Sequence, residues 1–593
     1  MWPFETSYPQ RKAHELDGVE YDYIIVGGGT AGCAVASRLS EDPDVSVLLL
    51  EKGAVGDHWL SRVPLLSGSL GRFFQVVHRL SEPIDGCNGR QTDLWTGEAL
   101  GGASRVNQML YTRGIPGMYN EWAEMGHEDW SWANVEPFFK RIENCVSHPN
   151  AQHLGHDGPV HIIQHLPQFE LHNHIDKSAA ALGLPIEWDV NNPHGPAAGY
   201  YYTDYTIDQN GHRHSSYRAY LPSSVATARQ NRLTVCTGVI ASRLELDVGR
   251  GLATGVHIRP VRSHDGPTYF VKAKKEVIVC SGALGSPQLL MLSGIGPAQQ
   301  LKSYNVTVNK ELPGVGANLS DHHGLPVMMK VPGRESYHYM QISWLWAIWQ
   351  VILFLWNGTG LLKTGTTSST IYVNTSQLDS TTFTLKPGPA DRPFDSSVSE
   401  NVPDLEIMII PAGAIVGKFS GMALVTLYAC LVQPKTTGFI ELASTDPEAD
   451  PRVHYRMMED PRDIMTARKA LRFTLNLADQ FMQSSGYRHA VELVHAPNLN
   501  SSRKWDELSD EDLDGFVRAS AQSVVHLSST CRMAREEDGG VVDDQLMVYG
   551  FKNLRIADAS VFPTIPAAHT MAPVYMVAER CAQFIKDARN RKC

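Results

Sequence analysis

Residues 21–53 read YDYIIVGGGTAGCAVASRLSEDPDVSVLLLEKG, a strand, a glycine turn, a helix and a second strand in close succession. Tyr21–Val26 is a β-branched and aromatic run of the buried-strand type. Gly27, Gly29 and Gly32 form G-x-G-x-x-G. The first glycine permits a tight turn, the second lets backbone approach a pyrophosphate, and the third brings helix and strand together. Cys33–Ser40 is small and apolar enough for a helix laid on a sheet. Pro43 ends it, and Val45–Leu50 is a second buried strand with Glu51 at its end. Amides and dipole at the helix start favour anionic phosphates. Glu51 falls where a carboxylate accepts hydrogen bonds from an adenosine ribose. The stretch predicts a dinucleotide-binding α/β domain.

A chain of 593 residues is too long for one hydrophobic core, so two or more domains are expected. Hydrophobic content of 43% with 19% charged residues fits a globular enzyme rather than a disordered chain or a membrane bundle. A net charge of -11 argues against general nucleic-acid affinity. Nine scattered cysteines without C-x-x-C give neither a disulfide framework nor a zinc site. No apolar signal-like run opens the chain, which points to an intracellular location, while sequons such as Asn305-Val306-Thr307 keep a mature secreted form open.

Residues 1–20 read as a polar arm. Beyond Glu51, an irregular Gly/Pro-rich stretch ends in Trp95–Gly114, WTGEALGGASRVNQMLYTRG. A Gly101-Gly102 turn followed by Ser104 and Asn107 is suited to present backbone amides and one side-chain amide to a planar ligand. The run G-G-A-S-x-x-N-x-M-x-Y-x-R-G resembles the first signature of the glucose–methanol–choline (GMC) family of flavoprotein oxidoreductases. Ser281–Pro297, SGALGSPQLLMLSGIGP, resembles the second signature, and Leu312–His322, LPGVGANLSDH, its usual sequel. The resemblance runs from Tyr21 to about Lys586.

That resemblance implies a Rossmann-like α/β FAD-binding domain of GMC type from residues 21–115, 231–325 and 515–593. An α+β substrate domain, antiparallel sheet with helices, would come from 116–230 and 326–514. It also implies FAD contacts along the first motif (Gly27, Gly29, Thr30, Ala31, Gly32), at Glu51 and Lys52, and along the first signature (Gly102, Ser104, Asn107, Gln108, Met109, Leu110). Val239 backbone would meet the adenine, and Asp558, Ala559 and Thr570 the rest of the cofactor. Covalent family members carry a His at or beside the signature Asn. Here Val106 and Asn107 stand there, so a dissociable FAD is expected. Glu98 departs from the Arg or Lys common before L-G-G.

His526 lies in Val524–Met533, VVHLSSTCRM, and His569 in Pro563–Pro573, PTIPAAHTMAP. By resemblance these two imidazoles face the flavin together, a His–His pair as in the aryl-alcohol and sugar oxidising members. Leu527, Ser529 and Ala534 replace the usual Pro, Gly and Gly. A neutral imidazole has a pKa near working pH and can take a hydroxyl proton while the α-hydrogen leaves as hydride. His526 is the expected base and His569 its partner. The function implied is oxidation of a primary, aryl or allylic, alcohol, with O2 or another electron acceptor. A secondary-metabolite tailoring enzyme that cyclises or isomerises without net redox, and a membrane-associated FAD-binding protein, are the alternatives.

Ile342–Trp356, ISWLWAIWQVILFLW, is too short to span a bilayer, which takes about 20 residues. It reads as a helix lining the substrate pocket or a dimer face, with an interfacial segment dipping into lipid as the alternative. Pro137–Cys145 and Pro461–Phe481 read as helices, Leu233–Leu246 as a strand pair, and Thr381–Asn401 as a surface loop. His212/His214, His172/His174 and His322/His323 lack metal-ligand spacing and read as solvated loop histidines. Asp543 and Asp544 read as solvating a turn. No metal, P-loop or G-x-S-x-G motif is present.

Overall fold

The strand Glu20–Val26 has the helix Thr30–Leu39 directly after it and lies between two parallel neighbours, Val47–Glu51 and the C-terminal half of Tyr269–Val279. Leu233–Thr237 adds a strand beyond Val47–Glu51, and Leu554–Ile556 pairs parallel with Val277–Val279. The N-terminal half of Tyr269–Val279 instead joins an antiparallel meander with Leu252–Pro260 and Val239–Asp247. Both faces of the parallel strands are covered, which is why Val47–Glu51 is buried at every position and reads as a continuous apolar run. This computed structural model describes residues 8–66, 76–263, 266–388, 394–415, 417–419, 421–499 and 504–591.

Helix Thr30–Leu39 is nearly all small side chains on its buried face, so the final helix Met571–Asn590 packs closely on it. Buried Glu579 joins them, accepting from Arg38 at 2.7 Å and from the Tyr220 hydroxyl at 2.8 Å.

The second sheet is mainly antiparallel, in the order Glu492–His495, His323–Lys330, Leu424–Leu431, Leu405–Ile410, Ser369–Val373, Gly199–Tyr202, Ile186–Glu187. Helix Pro461–Gln483 covers Leu424–Leu431, with the Asp460 side chain capping its first turn. A short strand, Gln522–Ser523, pairs with the start of His323–Lys330 and carries the chain back to the nucleotide domain. A smaller sheet joins Leu110–Tyr111, Asp204–Tyr205, Val160–Gln164 and Glu143–Cys145.

Two expected elements shift. The helix expected over Pro137–Cys145 is Trp132–Ile142, and its last three expected residues, Glu143–Cys145, are a strand paired to Val160–Ile162. The Trp-rich segment forms a helix, Trp344–Asn357, but turns its apolar side chains outward instead of lining a pocket. Gln350 and Phe354 are buried, whereas Trp344, Trp349 and Trp356 are exposed, Trp356 to 85%. Among the described residues no helix is long and apolar enough to cross a membrane.

Candidate functional site

The carboxyl ends of the parallel strands gather the glycine turn, Glu51 and Asp558, the edge at which doubly wound sheets bind ligands. Gly27 has φ +102°, and an added Cβ there would lie 2.5 Å from the Cys280 carbonyl oxygen. At Gly32 a Cβ would lie 1.8 Å from the Gly27 carbonyl oxygen, so helix and strand touch only because it is glycine. Gly29 differs. A Cβ there would meet nothing nearer than 3.9 Å, so packing within the chain does not require glycine. The open space above the helix start fits the pyrophosphate that the motif implies. Gly102 packs against Gly29 and joins the two glycine turns back to back.

Glu51 accepts the Gly28 amide and the Gly53 amide, each at 2.7 Å. Burial pushes its carboxyl up to about 7. Val239 begins the strand two residues after Thr237, the cross-strand partner of Glu51. Lys52 pairs with Glu98 at 3.0 Å, and Glu98 also takes Arg79 at 2.6 Å; the departure at Glu98 is thus an ion-pair node. Asp558 ties the second signature down through the Gly282 amide (2.9 Å), the Ser286 hydroxyl (2.6 Å) and the Ser560 amide (2.8 Å). Ala559 starts the short helix after it, and Thr570 precedes the final helix.

In the first signature the residue types are as expected, but two side chains turn inward. The Ser104 hydroxyl donates to Gly101 at 2.6 Å and accepts from the Ser216 amide at 3.0 Å. Asn107 Oδ1 accepts from Arg213 at 2.8 Å and from the Met109 amide at 3.1 Å. These two side chains therefore shape the loop. Gln108 is exposed and takes the Thr366 hydroxyl at 2.6 Å, Leu110 is in a strand, and Thr30 and Ala31 open the first helix.

His526 and His569 converge, their ring centroids 5.0 Å apart and their planes at 89°. A third imidazole, His322, stands 4.9 Å from His526 on its other side. The three histidines determine one another's protons. His322 Nε2 lies 3.0 Å from the Pro566 carbonyl oxygen, which only accepts, so that nitrogen carries hydrogen. Burial pushes the His322 pKa down to about 3, so the ring is neutral and its Nδ1 is a lone pair. His526 Nδ1, 2.9 Å away, must then be the donor. Burial, with His322 and His569 adding to it, also holds His526 well below the usual imidazole value. His526 is thus a neutral Nδ1–H tautomer whose Nε2 lone pair is available to a substrate.

The loop bearing His526 is anchored by Asp321, which accepts its backbone amide at 2.7 Å and the Tyr455 hydroxyl at 2.6 Å. Burial raises the Asp321 carboxyl to about 6. His569 faces a different partner. Its Nε2 lies 3.1 Å from Glu406 Oε1, and its backbone amide donates to the Thr112 hydroxyl at 2.8 Å. Burial would push Glu406 up, but His569 and Thr370 outweigh it and hold the carboxyl below its usual range. Glu406 is therefore ionised, and His569 Nε2 donates to it. Tyr372, the cross-strand partner of Glu406, sets its buried hydroxyl against that carboxylate and helps hold it ionised.

Most of the histidines expected to be solvated are not, although His212 and His174 stay partly exposed. His322 is 1% exposed and His323 2% exposed, because a buried central strand begins there; His172 and His214 are buried as well. His322 and Glu406, which stand against His526 and His569, are the site residues that sequence reasoning did not single out. The D-H ending of Leu312–His322 was the available signal for the first, and no local signal marked the second. Asp543 holds its turn through the Gln545 and Met547 amides, and Asp544 pairs with His127 at 2.6 Å, so neither simply meets solvent.

The N-terminal GMC oxidoreductase family pattern matches residues 21–324 and the C-terminal pattern residues 434–578. The chain is 31% identical to dehydrogenase str4 of Strobilurus tenacellus over 95% of this chain and 94% of that one. It is likewise 31% identical to an oxygen-dependent choline dehydrogenase of Chromohalobacter salexigens, over 96% of this chain and 95% of the other. A solved fungal aryl-alcohol oxidase superposes with TM-score 0.80 at 25% identity, covering 97% of this chain and 99% of that one.

Proposed function

The chain belongs to the GMC oxidoreductase family, FAD-dependent enzymes acting on CH–OH donors, and from that premise we propose that it oxidises a primary, aryl or allylic, alcohol to the carbonyl compound with His526 as base. The observation that carries this reading is the pair of perpendicular imidazoles 5.0 Å apart, one neutral with a free Nε2 and the other set against ionised Glu406.

FAD, when bound, supplies the two-electron acceptor. The residues that would hold it are the glycine turn with its open space at Gly29, Glu51, the first-signature backbone and the second-signature turn tied by Asp558. His526 Nε2 accepts the substrate hydroxyl proton, general-base help worth about 100- to 10,000-fold. Because Nδ1–H donates into His322, the ring stays oriented as the proton arrives. The charge that develops is shared with His569, itself 3.1 Å from a carboxylate. The similarity to a fungal aryl-alcohol oxidase supports an aromatic or allylic substrate. Val106 and Asn107 offer no side chain for a flavin bond, which supports a dissociable FAD.

Anaerobic mixing of the holoenzyme with benzylic, allylic, aliphatic and sugar alcohols tests the reading. Bleaching of the flavin band by a benzylic or allylic alcohol, lost in His526→Ala, is expected. A flavin bleached by none of them, or bleached equally fast in the variant, refutes it. Acid precipitation should leave the yellow cofactor in the supernatant.

A further inference from the structure

Away from the redox centre, three elements converge beside the small sheet: the turn carrying His148, the loop carrying Asp189 and the strand Asp204–Tyr205. One ligating atom from each of His148, Asp189 and Asp204 lies within 4.8 Å of the other two. Asp204 is wholly buried, and its Oδ1 has no hydrogen-bond partner among the described residues; His148 Nε2 has none either. These two atoms face each other at 3.4 Å. At that separation the two form an ion pair without a close hydrogen bond, a spacing that a bound cation would bridge.

We propose that His148, Asp189 and Asp204 form a divalent transition-metal site, of the nitrogen and oxygen donor set that takes zinc.

The His148–Asp204 distance fits a metal. A charge-assisted N–H···O contact closes to about 2.7–2.9 Å. Elsewhere in this chain the tight pairs do so, His153 with Asp189 at 2.7 Å and His78 with Asp93 at 2.6 Å, while His174 with Glu170 and His212 with Asp208 stand looser at 3.7 Å. The 3.4 Å between His148 and Asp204 is instead the edge of a tetrahedron around a metal with bonds of about 2.0–2.1 Å. Charge agrees, since two carboxylates and a neutral imidazole sum to the charge that a divalent ion cancels.

The surrounding groups are placed to orient ligands. His153 Nε2 and the Asn191 amide hold the two oxygens of Asp189 at 2.7 and 2.8 Å, and Asn191 Nδ2 holds Asp204 Oδ2 at 2.9 Å. That leaves Asp204 Oδ1 directed at His148. Asn191 is itself fixed by the Arg113 amide at 2.8 Å. Side-chain exposure of 17% at His148 and 14% at Asp189 leaves a way in from solvent and room for water as a fourth ligand. The site is distant in role from the imidazole pair but not mechanically separate. Asp204 pairs with Tyr111, and the next residue, Thr112, holds the His569 amide.

Zinc content of the FAD-loaded enzyme, by mass spectrometry after dialysis against a zinc buffer and then against metal-free buffer, tests the site. About one zinc per chain is expected, with a higher unfolding temperature in zinc than in EDTA. His148→Ala and, as a milder change at a partly exposed ligand, Asp189→Asn should each lose the zinc while keeping the flavin absorbance. His153→Ala should keep the ligands but weaken zinc about 10- to 100-fold. Wild-type enzyme without zinc and with the same unfolding temperature in zinc and EDTA would show that only a proton occupies this seat. Undiminished zinc in both ligand variants would also overturn the assignment.

Discussion

Replacing His322 by Phe removes the acceptor of the His526 Nδ1–H, together with the Nε2–H that donates to the Pro566 carbonyl oxygen. The His526 Nδ1–H, now 2.9 Å from an imidazole lone pair, would face an aromatic edge in buried surroundings. A buried donor left unmatched costs about 1–3 kcal/mol. The ring avoids that cost by rotating or by moving its hydrogen to Nε2, and either change removes the lone pair that takes the substrate proton. At about 1.4 kcal/mol per tenfold, kcat/KM should fall roughly 5- to 150-fold. Substrate contacts are not touched, so the loss should appear in kcat, with KM close to wild type. His322→Asn supplies a carbonyl oxygen near the position of Nδ1 without reaching Pro566, and should recover most of the rate. The assay is anaerobic flavin reduction against alcohol concentration, with flavin content and unfolding temperature measured on each variant. A Phe variant reducing its flavin at the wild-type rate, or an Asn variant as slow as Phe, refutes the relay.

Other outcomes follow from the same geometry. Glu406→Gln keeps an oxygen for His569 Nε2 but removes the charge; a charged hydrogen bond contributes about 1.5–3 kcal/mol, so kcat should drop about 10- to 100-fold in steady-state turnover. Because burial lowers the His526 pKa and the base must be neutral, kcat/KM should stay flat as pH falls through the ordinary imidazole range near 6.5 and decline only below it; an acid limb at or above 6.5 contradicts this. Gly29→Ala should fold with unchanged unfolding temperature but bind less FAD by absorbance, since its Cβ would meet no protein atom within 3.9 Å. Gly32→Ala should fail to yield soluble protein, its Cβ falling 1.8 Å from a carbonyl oxygen.

Much of the nucleotide domain was legible because its signals are local. Strand, glycine spacing, small-residue helix and terminal Glu51 occupy one stretch of chain, and each demands its residue types for reasons that act within a few positions. His526 and His569 were legible only through resemblance, since neither has a neighbour in sequence that marks it. What the sequence concealed is direction. Ser104 and Asn107 have the right chemistry for a ligand loop, yet Arg213 and the Ser216 amide, remote in sequence, turn both side chains inward. The Trp-rich segment is helical as its composition suggests, but composition does not say which arc meets the protein. In His322-His323 adjacency suggested a loop, whereas strand His323–Lys330 starts at the second of them and buries both. The metal seat draws on a turn, a loop and a strand with no shared spacing, so no motif announces it.

The division of labour between the two facing imidazoles comes from what stands behind each ring. Behind His526 is a neutral ring that ends on a carbonyl oxygen, a chain that fixes one hydrogen at Nδ1 and offers no negative charge. It yields a base that starts neutral and points its lone pair forward. Behind His569 is a carboxylate from the middle of the substrate sheet, whose ionised state this same ring helps to maintain. That ring is an anchored donor, and any positive charge it acquires is matched across 3.1 Å. Exchanging the two partners would exchange the roles, because the rings themselves are chemically alike. In the proposed reaction, therefore, the two facing histidines specify the base no more than His322 and Glu406 do. That pair enters from the start of one sheet strand and the body of another, so the substrate sheet sets the protonation states that the nucleotide domain's C-terminal segment presents.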